Sequence, residues 1–118
     1  MTDLEQDLVA ALKTQCPRVF PDTAPLTTAR PYVTWFNIGG MALRYTENTA
    51  ADKRMVIVQI NVWHDTRIGA LTLARNIEDA LCAASAFVAE PNEEATSMRE
   101  EDLNLYGTRQ DFTILGRR

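Results

Sequence analysis

A chain of 118 residues with 46% apolar and 24% charged side chains has the size and composition of one globular domain, long enough to bury a core without metal or disulfide help. Its net charge of −4 and pI of about 4.9 speak against a module whose main task is gripping nucleic acid, since such a module carries a basic face. Cys16 and Cys82 form no CxxC pair and His64 is the single histidine, so neither a disulfide framework nor a zinc site is predicted. Arg99, Arg109, Arg117 and Arg118 lie towards one end of the chain and read as scattered surface charges. The opening residues lack a basic region followed by an apolar run, and no apolar run approaches a membrane span. The expected setting is a reducing cytoplasm, or an assembly built there, with no membrane contact.

Residues 3–16 read as a helix. Thr2 and Glu5 have the spacing of a capping box, which satisfies two orphan donors at a helix start. Leu4, Leu8, Val9 and Leu12 fall on one stripe, and Asp3, Glu5 and Asp7 suit the positive end of the helix dipole. Pro17 stops the helix. Residues 17–31 carry Pro17, Pro21, Pro25 and Pro31 and predict an extended connection. Its length suggests a packed strap or a segment that makes outside contacts.

Residues 32–38, rich in β-branched and aromatic side chains, predict a strand that Gly39 and Gly40 break or bend. A short partner strand over 41–45 and a polar loop over 46–53 follow. The strongest strand signal spans 55–63. Val56, Val58, Ile60 and Val62 form one apolar face that must meet the core. Met55, Ile57, Gln59, Asn61 and Trp63 form a mixed second face, either part-exposed or an interface. A helix over 67–84, capped by Asp65 or Thr66, buries Ile68, Leu71, Ala74, Ile77 and Leu81. Phe87 and Val88 open another strand, and Pro91 and Asn92 begin a polar break. A strand over 96–102, a turn over 104–107 and a last strand over 108–115 complete the chain. Gln110, Phe112 and Ile114 share one side of that last strand, and 116–118 should fray. The predicted class is α+β: a mostly antiparallel sheet of about four to five strands, with two helices packed on one face, in a single domain over 1–118.

No catalytic constellation is recognisable, and neither a cofactor nor a metal is expected. His64 and Asp65 are adjacent at a strand end and point apart, with no nucleophile in a known motif beside them. Glu93, Glu94, Glu100, Glu101 and Asp102 lack metal-loop spacing and read as a solvated acidic face; their best functional reading is a subunit interface facing arginines. Gly39 and Gly40 lack the spacing of a phosphate loop and read as a bend or bulge. Tyr32, Trp35, Phe36, Tyr45, Trp63, Tyr106 and Phe112 lie in strand patterns with too few basic neighbours to stack bases, so core packing and protein interfaces explain them better.

Several words recur in a telling order: Pro31-Tyr32-Val33 opening a strand, Val58-Gln59-Ile60-Asn61-Val62-Trp63 in a long strand, Ile77-Glu78-Asp79-Ala80-Leu81 ending a helix, and Gln110-Asp111-Phe112-Thr113-Ile114 closing the chain. With the leading helix and the proline-rich connection, this order over residues 4–115 resembles the tail completion, or tail terminator, proteins of long-tailed phages and prophages. The acidic stretch 90–106 departs from that pattern. The resemblance implies a structural, non-enzymatic protein in the virion tail, assembled in the host cytoplasm. Such proteins form a homo-oligomeric ring, typically a hexamer, at the head-proximal end of the tail tube. The ring stops polymerisation of the major tail tube protein, docks to the head–tail connector, and lets DNA pass without sequence-specific binding. The candidate assembly surface under this reading is Tyr32, Trp35, Ile57, Gln59, Asn61, Trp63 and Arg109. Two other readings remain: a different head–tail joining or minor tail component, and a small ligand-binding domain or enzyme with its pocket near His64 and Asp65.

Overall fold

A computed structural model describes residues 3–25, 27–44, 46 and 52–118. Along the chain run helix α1 (Leu4–Lys13), strands β1 (Val19–Pro21), β2 (Tyr32–Met41) and β3 (Lys53–His64), helix α2 (Arg67–Ala83), and strands β4 (Val88–Pro91), β5 (Thr96–Glu100) and β6 (Leu105–Arg117). The expected four to five antiparallel strands are six in a mixed sheet, ordered β1-β2-β3-β6-β4 with β5 also on β6. β1 runs parallel to β2, and every other pair is antiparallel. β4 takes the second half of the outer edge of β6 and β5 the first half.

The local chemistry explains the boundaries. The capping box sits one residue later than Thr2 suggested, and Thr2 itself lies outside the described residues. Asp3 accepts from Gln6 N–H at 2.9 Å while Gln6 Oε1 accepts from Asp3 N–H at 3.1 Å. Leu4, Leu8 and Leu12 follow at four-residue steps, all fully buried. In α2 the cap is Thr66, whose Oγ1 accepts from Gly69 N–H at 3.0 Å. Ala70, Ala74, Ile77 and Leu81 form its buried stripe. Ile68, expected inside, is 79% exposed, because at about 100° per residue it lies on the opposite side of the helix from Ala70 and Ile77.

The proline-rich connection contains β1, which no periodicity announced. A parallel neighbour needs a crossover, and the segment between β1 and β2 supplies it with no helix among its described residues. β2 does not end at its glycines. The register slips between Asn37 and Gly39 in a bulge, and the strand continues to Met41. Gly40 has φ +143°, and a Cβ there would sit 2.3 Å from the Met55 carbonyl oxygen. A separate strand over 41–45 is not found among the described residues: Met41 closes β2 and Arg44 makes only an isolated bridge. Tyr45 and 47–51 lie outside those residues. The turn expected over 104–107 falls instead at 101–104, with Asn104 at φ 53°. Gly107 belongs to β6, as does Gly116, so residues 116 and 117 do not fray. Gly116 is buried against Leu4, and Arg117 pairs with Asp7 of α1 at 2.7 Å.

Both helices cover one face of the sheet. Register places Val33, Val62 and Thr108 in one row across it, then Trp35, Ile60 and Gln110, then Val58 and Phe112, then Val56 and Ile114. The apolar members of these rows join the leucines of α1 and the stripe of α2 in one core cluster.

Candidate assembly surface

The alternate residues of the same strands face away from the helices. One row across this bare face is Tyr32, Trp63, Gly107 and Met98. The next is Phe20, Thr34, Asn61, Arg109 and Thr96. Then come Phe36, Gln59 and Asp111, and after them Gly39, Ile57, Thr113 and Glu90. The last row is Met41, Met55, Leu115 and Val88, apolar across four strands. Met41 is 62% and Val88 63% exposed. Adjacent strands lie about 4.8 Å apart, so that row presents a strip roughly 15 Å wide.

Six of the seven candidate residues, Tyr32, Ile57, Gln59, Asn61, Trp63 and Arg109, therefore share one surface. Trp35 does not. It lies on the helix-covered face, buried, beside Glu5, Val9 and Lys13 of α1, and its Nε1 has no hydrogen-bond partner among the described residues. Alternation along β2 decides this, because Trp35 has the parity of the core residue Val33.

At one end the bare face is partly roofed. The strap 22–25 and the turn before β6 leave a cavity of about 320 Å³ over Tyr32, Thr34, Asn61 and Trp63. The Trp63 ring lies on Gly107, where a Cβ would come within 2.8 Å of Cε3. Leu105, 2% exposed, is buried here and not in the main core. Burial pushes the Tyr32 phenol above its ordinary range, and the Arg30 charge pulls it back in part. Arg30 holds strap to turn, donating to Asp65 Oδ1 at 3.0 Å, to the Asn104 carbonyl at 3.1 Å and to the Leu103 carbonyl.

The family model described as tail completion protein gp17 matches residues 4–116 of this chain. The chain belongs to that family. No curated protein matches it. Membership of a tail completion family implies a component of the virion tail that contacts other tail parts.

The remaining sequence candidates take structural places in this tail completion chain. His64 Nδ1 accepts from Thr66 N–H at 3.2 Å, and its ring packs against Gly69. Asp65 pairs with Arg30. Among the described residues no three metal-ligating side chains gather. Of the four late arginines, Arg99 stacks on Tyr106 at 4.3 Å, Arg117 binds Asp7, Arg109 stands on the bare face and Arg118 lines another concavity, so they are scattered as expected. Glu93 is tied to β6, its Oε1 accepting from Asp111 N–H at 2.7 Å. Both cysteines are free. The Cys82 thiol is pushed up by desolvation and by Glu78, Asp79 and Glu90.

Sequence reasoning missed a basic cluster. Arg44, Lys53, Arg54 and Arg118 line one concavity of about 470 Å³ at the far end of β3. Arg44, the pair Lys53-Arg54 and Arg118 come from three separate stretches of the chain, and only the pairing of β2, β3 and β6 brings them together. Charge spacing along the chain carried no signal of it.

Proposed function

We propose that this chain is a tail terminator: a ring, six-membered by resemblance to its family, at the head-proximal end of the tail tube. The ring ends polymerisation of the major tube protein, offers its outer side to the head–tail connector, and leaves a hole through which DNA passes without sequence-specific contact. One observation carries the reading beyond family membership. Outside the end roofed by the strap, the sheet leaves one face uncovered among the described residues, and that face ends in an apolar row across four strands. A solvated face has no need of Met41, Met55, Leu115 and Val88 side by side, whereas a subunit contact does. Burying such a row contributes about 25 cal/mol per Å² of apolar area.

Deleting the gene tests the role. The expected outcome by electron microscopy is tails of uncontrolled length and heads without joined tails; normal infectious particles would end this reading. Labelling the chain in assembled particles separates a terminator from a neck component. Label at the tube end next to the head supports the former, and label within the connector the latter.

A further inference from the structure

The two concavities at the ends of the sheet are chemically opposite. The first is basic: Arg44, Lys53, Arg54 and Arg118 line it, and among the described residues no Asp or Glu lines it and none of the four side chains has a hydrogen bond or ion pair. Asp52 adjoins this rim, and its carbonyl accepts from Arg118 N–H at 3.1 Å. Four cations without a partner among the described residues, gathered in one hollow, are notable in a chain whose net charge is −4. The second is the cavity beneath the strap. Its polar lining is rich in acceptors: the carboxylates of Asp22 and Glu100, Thr34, and Asn61. Asn61 is 9% exposed, and its Oδ1 has no partner among the described residues. Tyr32 and Trp63 supply aromatic surface, and among the described residues no Lys or Arg lines the cavity. Arg30 borders it but spends its guanidinium on Asp65 and the turn carbonyls. Among the described residues Glu100 Oε1 accepts only from Asp102 N–H, at 3.2 Å. Beyond the cavity the turn carries Glu101 and Asp102, both exposed.

We infer that copies of this chain join head to tail, the basic rim of one docking on the cavity beneath the strap of the next, with an arginine side chain inserted between Asn61, Glu100 and the aromatic walls. This deepens the ring reading and rests on it. A guanidinium is a planar, donor-only cation that stacks on aromatic rings, which suits an acceptor-rich hollow beside Trp63 and Tyr32. The geometry has the right sense. Lys53 and Trp63 stand at opposite ends of β3, roughly 33 Å apart at about 3.3 Å per residue, in a body 52 Å long. Two different patches, each the complement of the other, make a heterologous contact, and such contacts close into rings when the rotation allows. Charge complementarity favours a second copy over DNA as the occupant, because the chain itself carries the matching acceptor site.

Disulfide trapping tests the contact on the full chain in a Cys82→Ser background. Arg54→Cys and Glu100→Cys chains, mixed and oxidised, should give mainly the mixed disulfide between the two variants. Homodisulfides in equal or greater amount would overturn the inference. Sedimentation gives a second reading. Lys53→Glu with Arg54→Glu, and separately Glu100→Lys, should each weaken self-association about tenfold or more, the scale of a close charge pair lost across an interface. Combining all three substitutions should restore it. Unchanged association in the single-end variants would overturn the contact while leaving the ring intact. A wild-type chain that neither associates nor caps tubes would remove the ring reading itself. Retention of duplex DNA by the wild type, lost in Lys53→Glu/Arg54→Glu without change in the trapping pattern, would assign the rim to nucleic acid and overturn the inference.

Discussion

The two faces of the sheet are made from alternate residues of the same strands, and they follow different rules. On the helix-covered face nearly every position in the central strands is apolar and buried: Val56, Val58, Ile60 and Val62 in β3, Phe112 and Ile114 in β6. The exceptions, Thr108 and Gln110, are buried, and Gln110 is matched: its Nε2 donates to Glu78 Oε1 at 2.6 Å and to the Glu93 carbonyl at 2.9 Å. On the bare face apolar, aromatic, amide and charged residues alternate from row to row, and two buried acceptors, Asn61 Oδ1 and Asp111 Oδ1, have no partner among the described residues. A core needs only dryness and fit. The bare face has the composition of a protein contact surface, where an apolar patch sits beside polar groups awaiting partners.

The sharpest way to break this contrast is to place a charge on each side of one strand. Val58 is 1% exposed and lies opposite Phe112. Val58→Asp puts an unpaired carboxylate into the core and should cost about 4 kcal/mol or more, enough to unfold the chain at room temperature. Circular dichroism against temperature checks it. A cooperative melt near that of the wild type would mean that the covered face is not the core.

The covered face also depends on an ion pair. Asp7, with 8% of its side chain exposed, receives two bonds from Arg117 Nη2, both at 2.7 Å, and one from Nε at 3.1 Å. Arg117 is 38% exposed, so its own desolvation is partial. Arg117→Met should cost about 2–3 kcal/mol, chiefly by removing the guanidinium that faces the buried Asp7 carboxylate. Asp7→Leu added to it should recover part of that loss. No recovery in urea unfolding would show that the pair holds α1 to β6 by more than charge.

These elements differ in how far the sequence foretold them. The 55–63 strand was plain because β-branched residues alternate over a full strand length, and period two has no helical rival there. The core stripe of α2 was plain from Ala74 to Leu81 but not at Ile68, since repeated three-residue steps drift round a helix of 3.6 residues per turn and leave Ile68 opposite Ile77. β1 was invisible: three residues beside prolines give no period, and its strand character comes only from hydrogen bonding to β2. Both ends of β6 were misread because glycine signals a turn on average. Gly107 and Gly116 are there instead for close approach, one to Trp63 and one to Leu4. Six of the seven surface candidates followed from alternation within single strands. Trp35 fell outside because interface preference of the residue type competed with strand parity, and parity governs. The basic rim and the acceptor-lined cavity were beyond reach, each being assembled from segments whose neighbourhood is set by pairing alone.

The bare face has one tight point, and it offers a smaller test. An added methyl at Gly107 would meet Trp63 Cε3 and the Val62 carbonyl oxygen, both at 2.8 Å. Gly107→Ala should cost about 1–3 kcal/mol and shift the Trp63 fluorescence as the ring is displaced. Adding Trp63→Ala should relieve the part of the cost that the ring imposes and leave the part set by the Val62 carbonyl. If the two losses simply add, the ring does not rest on that backbone.

Ile57 carries the smallest effect on folding and the most direct reading of the comparison. It is the neighbour of Val58 in sequence, yet it faces away from the helices, half-buried among Gly39 and Thr113. A lysine there can lie along the surface and keep its ammonium in water, so the stem replaces much of the apolar contact. Ile57→Lys should therefore change stability by no more than about 1 kcal/mol, against the collapse produced one residue later by Val58→Asp. If the bare face joins subunits or tube, the folded variant should nonetheless fail to complete tails in a complementation assay, since a charge would enter the contact opposite a partner built for an apolar side chain. Full complementation by a folded Ile57→Lys chain would move the contact off this face and leave the ends of the sheet to carry it.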